Sequence, residues 1–61
     1  MKRQSLLRHL AQHGCELLRE GGRHSIWWKP ATERKSAVPR HNGIREVIVK
    51  KVCTDLEIPR P

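Results

Sequence analysis

Leu6, Leu7, Leu10 and Ala11 fall on one side of a helical wheel and Arg8 and Gln12 on the other, which predicts a short amphipathic helix over residues 5–13. Ser5 is expected to cap its start, and Gly14 to end it in the left-handed conformation. Residues 15–19, too few for a second helix after a glycine stop, suit a strand. Gly21 and Gly22 then supply the paired glycines of a tight hairpin, expected because only glycine enters positive backbone angles cheaply. Residues 24–29, with Ile26, Trp27 and Trp28, predict a second strand closed by Pro30; residues 30–34 form a turn, and residues 35–38 a third strand ended by Pro39. In the connection 40–43, Asn42 is the expected helix cap.

Val47, Ile48 and Val49 are consecutive and β-branched, which alone favours a strand. Ile44, Ile48, Val52 and Leu56 nevertheless recur every four residues, with Glu46, Lys50, Thr54 and Glu57 opposite, so residues 44–56 read as a helix. The expected fold class is α+β: one α-β-β-β-α domain over 1–61, a three-stranded antiparallel sheet with two helices on one face and the other face wet.

Length narrows what such a domain can do. With 61 residues and 36% apolar content the core is thin, and a deep small-molecule pocket or a dinucleotide site is excluded. Cys15 and Cys53 fit neither a disulfide framework nor a zinc motif and are expected to be reduced, half-buried small hydrophobes, which points to a cytoplasmic protein. No apolar run approaches a membrane span or a signal-peptide core.

Charge changes the picture more. The net charge is +7, and Arg19, Arg23, Lys29, Arg34, Lys35 and Arg40 against Glu20 and Glu33 place over half of it between residues 19 and 41. Such a stripe suits phosphate contacts, and nucleic acid is the expected partner. Trp27 and Trp28, adjacent on a strand, must point to opposite faces; one fills the core and the other is free for an RNA base or a protein partner, and the sequence does not say which.

His9 and His13 have the spacing of a paired metal ligand but lack a third ligand and a motif glutamate, so they read as a solvated helix edge and no metal is expected. His24 opens a strand directly after the glycine pair, where a phosphate can approach. An imidazole there could accept and donate the protons that cleavage of RNA through its own 2′-hydroxyl requires, a route needing no metal or other cofactor. Position alone does not establish that role. No Ser-His-Asp or Cys-His arrangement is convincing, and Gly21-Gly22 lacks the pattern of a phosphate loop.

Cys15-Glu16-Leu17-Leu18-Arg19-Glu20-Gly21-Gly22-Arg23-His24-Ser25-Ile26, then Ser36-Ala37-Val38-Pro39-Arg40-His41, then Lys50 through Pro59 together resemble the HicA toxin family over nearly the whole chain. The resemblance implies a small double-stranded-RNA-binding-like fold and an endoribonuclease that cleaves mRNA, with His24 of Gly22-Arg23-His24 as the catalytic histidine. It also implies neutralisation by a HicB-type antitoxin in a bacterial or archaeal cytoplasm. Gly22, Arg23, Ser25, Lys29, Lys35, Arg40 and His41 are the expected RNA contacts, and His41 is the one imidazole outside the first helix that could serve as a second proton-transfer group. The alternative reading is a non-catalytic RNA-binding module on the same basic surface; a DNA-binding autoregulator is disfavoured because neither helix carries a row of base-reading side chains.

Overall fold

The computed structural model describes all 61 residues. Its elements follow in the order α1 (Arg3–Gln12), β1 (Glu16–Glu20), β2 (His24–Lys29), β3 (Arg34–Pro39) and α2 (Glu46–Leu56). The strands form one antiparallel sheet in the order β1-β2-β3. This is the expected α+β arrangement, compatible with a double-stranded-RNA-binding-like label.

Both helices lie on one face, and two buried serines show it. Ser25 of β2 accepts a hydrogen bond from Arg3 of α1 (2.8 Å), and Ser36 of β3 donates to the Asp55 carboxylate of α2 (3.0 Å). The β2–β3 register, Ser25 opposite Val38 and Trp27 opposite Ser36, places all four side chains on that side. Beneath the helices a single core joins Leu6 and Leu10 of α1, Val38 of β3, and Val49, Val52, Cys53 and Leu56 of α2, with Cys15, Ile44 and Ile58 from the connections. Burial of these side chains against one another is the main force holding the layers together.

Helix ends depart from expectation in an informative way. α1 begins at Arg3 after Lys2, so Ser5 lies inside the helix and caps nothing. The early start is imposed from afar: Arg3 N–H donates to the Asn42 carbonyl (2.7 Å), Ile44 N–H donates to the Met1 carbonyl (2.7 Å), and Lys2 bridges Gly43. Asn42 gives only its backbone carbonyl to this contact and lies too early to cap α2, whose preceding residue is Arg45, with a carbonyl that accepts from Ile48 and Val49. Gly14 ends α1 as expected, at φ 80°, with Gly14 N–H bonded to Ala11 and Cys15 N–H to Leu10. α2 ends in the same way on Glu57, a non-glycine residue at φ 56°. Of the β-branched run, Val49 enters the core, Ile48 lies half-buried, and Val47 faces solvent. Cys15 and Cys53 are fully buried rather than half-buried, at 4% and 0% exposure, and carry free thiols.

β1 is an edge strand with a bulge. Leu17 pairs with Trp27 and Arg19 with Ile26, so Leu18 is an extra residue. The bulge resets the alternation. Leu17 and Glu20 both fall on the helix side, and Arg19 falls on the open side with Ile26.

Candidate active site

Because Ser25 and Trp27 face the helices, His24, Ile26 and Trp28 face away, onto the side of the sheet that no helix covers. Across this open face the rows are Pro39 opposite His24, Ala37 and Arg19 flanking Ile26, and Lys35 and Glu16 flanking Trp28. His24 is exposed at the head of β2, directly after the hairpin loop 21–23.

That loop is closed by Gly21 N–H donating to the His24 carbonyl (2.8 Å). Neither Gly21 nor Gly22 adopts a positive φ, contrary to the expectation for a glycine pair. Gly21 is required for a different reason: a Cβ there would sit 2.7 Å from the His24 carbonyl oxygen, whereas at Gly22 it would meet nothing within 4 Å.

A polar chain behind the sheet fixes the backbone on both sides of His24. Arg3 Nε donates to the carbonyl of Pro39, the residue opposite His24 (2.9 Å), while Arg3 Nη2 donates to Ser25 Oγ. Ser25 Oγ in turn donates to the Glu20 carboxylate. Arg40 lies 3.6 Å from that carboxylate and donates to the Gly21 carbonyl (3.0 Å), and its own N–H donates to the Arg23 carbonyl (3.3 Å). One helix, both hairpin arms and the end of β3 thus converge on the turn that presents the imidazole. Nothing local marks Arg3 for this task, since its partners are 22 and 36 residues away.

The expected RNA contacts divide. Gly22, Arg23, Arg40 and His41 are exposed and cluster at the His24 end, and Lys35 is exposed on the open face beside Trp28. Ser25 leaves the set: it is 0% exposed and its hydroxyl is used inside the polar chain. Lys29 leaves it too, because strand alternation turns it to the helix side, where its charge acts on the Cys15 thiol. Arg19 joins the open face through the bulge, which no sequence pattern announced. Trp27 packs against the core with its indole N–H buried and unpartnered, which identifies Trp28 as the outward tryptophan.

The remaining chemistry is structural. His9 donates from Nε2 to the Pro59 carbonyl (2.6 Å), tying α1 to the C-terminal segment, and its ring lies 4.5 Å from that of His13. No group of three or more His, Cys, Asp or Glu side chains is placed to hold a metal ion. Burial pushes both thiols up from the ordinary value of 9.0, opposed at Cys15 by Lys29; at Cys53 the neighbouring Cys15 adds to the rise and Arg60 opposes it. The one cavity, about 440 Å³, is an open polar groove lined by Lys2, Arg3, Gln4 and Asn42. No helix is long and apolar enough to cross a membrane.

The fold and the surface together define a small basic α+β domain that displays a histidine on an uncovered, cation-rimmed sheet face. Residues 3–58 of the 61 match the family model for the HicA toxin of bacterial toxin-antitoxin systems, and the chain belongs to that family. Comparison with curated proteins and with solved structures gave no significant match.

Proposed function

We propose that this toxin is an endoribonuclease acting on mRNA, with His24 as its acid-base group, held in check in the cytoplasm by a HicB-type antitoxin that covers the same face. The observation that carries the reading is the exposed imidazole of His24 at a turn fixed from three directions, with Arg23 and Arg40 bonded at that turn and His41 two residues beyond Pro39, the strand partner of His24. In the proposed reaction His24 takes the proton of a ribose 2′-hydroxyl as its oxygen attacks the adjacent phosphorus. The bond to the 5′ oxygen breaks, and a proton is delivered to that leaving oxygen, with His41 the candidate donor. Arg23 and Arg40 offset the charge that gathers on the phosphate oxygens.

Incubating RNA with the protein in EDTA tests this. Wild type should cut, and His24→Ala should lose roughly a hundred- to ten-thousand-fold in rate while keeping its circular dichroism and its affinity for RNA. Binding without cleavage by both proteins would refute the enzyme and leave a binding module on the same surface.

A further inference from the structure

We infer that Trp28 is a stacking site for an unpaired nucleobase, so that this toxin binds RNA as a single strand. The inference rests on the RNA reading above but not on cleavage.

Trp28 lies on the open face, on the same strand and the same side as His24, and is not among the side chains packed on the core. Its ring is half-buried, with half-buried Ile26 beside it on the same side of the sheet and no helix above. The two residues flanking it across the sheet carry opposite charges, Lys35 on β3 and Glu16 on β1. A phosphate is drawn to Lys35 and repelled by Glu16, so a bound strand has its backbone on the β3 side and a base over the indole. Stacking of this kind accepts any base, because each has a π face, and it gains from a cation alongside.

Spacing links this site to the histidine. Four residues along a strand separate Trp28 from His24, ~13 Å at ~3.3 Å per residue. At ~3.4 Å of rise per stacked nucleotide, and more where the strand is splayed, the base on Trp28 lies no more than about four nucleotides from the bond at His24. Arg19 lies beside the path between them. A duplex cannot use this arrangement, since its bases are already stacked on one another and offer only their edges. The outward tryptophan therefore argues against a duplex ligand, although the fold is of a kind compatible with a double-stranded-RNA-binding label.

Binding is measured on His24→Ala, so that the result stands whether or not wild type cuts RNA. With Trp27 replaced by phenylalanine, Trp28 is the sole indole; an oligoadenylate should quench its emission, whereas the same strand annealed to its complement, or heparin, should not. By fluorescence anisotropy of labelled RNA, which needs no change at Trp27, Trp28→Ala should bind the single strand roughly tenfold or more weakly, and Trp28→Phe should retain most of the affinity. Duplex binding should be equal in all three. Equal affinity of Trp28→Ala and its parent for the single strand would overturn the assignment, as would equal quenching by heparin. So would a Trp28→Ala defect seen only toward the antitoxin, which would make the indole a protein contact.

Discussion

At the scale of single residues, the two hairpin glycines look alike in sequence and differ in consequence. Gly21→Ala places a methyl 2.7 Å from a carbonyl that cannot retreat, because the same oxygen accepts the Gly21 N–H. Overpacking of this kind costs about 1–3 kcal/mol. Gly22→Ala meets open space and should stay within about 1 kcal/mol of wild type. Urea unfolding of the two variants makes the comparison, and equal destabilisation would contradict the steric account. The thiols give a second residue-level expectation. Their protonated forms are favoured by burial in the folded state, so their contribution is intact below the ordinary thiol value of 9.0. Stability should then fall as pH rises above it, since unfolding releases their protons. Melting curves across that range should slope downward for wild type and less steeply for a Cys15→Ala, Cys53→Ala double variant compared with its own value at neutral pH.

At the scale of elements, the strands and their order were legible because Gly14, Gly21-Gly22, Pro30 and Pro39 punctuate the chain between them, and β2, the one aromatic strand, matches its expected span, His24–Lys29. The misplaced boundaries have physical reasons: α1 starts early because residues 1–3 and 42–44, far apart in sequence, bond to each other, which no local window contains, and Asn42 caps nothing because α2 begins only at Glu46. The candidate site was legible in the same uneven way. Alternation required the tryptophans to oppose each other, but which one faces out depended on which side of β2 the helices cover, and that is set by long-range contacts, the burial of Val38 under the helices and the Ser25–Arg3 and Ser36–Asp55 bonds. Arg3→Met removes two charged hydrogen bonds that pin the ends of β2 and β3 to α1, and should cost about 1.5–3 kcal/mol. Amide exchange should show faster opening at His24 and Arg40 than at Trp28 and Lys35. Uniform acceleration along both strands would mean that Arg3 serves general stability and not the turn. Glu57→Gly should act in the opposite direction. It relieves a left-handed non-glycine residue at the end of α2, a gain of up to about 1 kcal/mol, and forfeits only an exposed pair with Arg34 at 4.0 Å, the kind that contributes little.

At the scale of the whole molecule, a net charge of +7 is confined within 27 × 25 × 16 Å, and only Arg34, Arg40 and Lys51 have acidic partners within 4.0 Å. Screening reaches ~10 Å at 0.1 M salt and ~3 Å at 1 M, so the cations repel one another across much of the molecule in dilute buffer. Added salt should therefore raise the melting temperature of the free protein while weakening its hold on RNA. The second slope can be sized from the interface. If Arg19, Arg23, Lys35 and Arg40 each meet a phosphate of a single strand, affinity falls about fiftyfold between about 0.05 and about 0.2 M salt. Neutralising one of them, as in Lys35→Gln, should lower the logarithmic slope by about 0.7. Lys29→Gln removes the same charge from the helix side of the sheet and should leave the slope unchanged, although it weakens binding slightly at low salt through the lost long-range attraction. Anisotropy titrations at several salt concentrations separate the two lysines. An equal drop in slope for both would mean that RNA follows the total charge of the molecule and not the open face, and the placement of His24, Trp28 and Lys35 on one surface would then have no bearing on how the substrate binds.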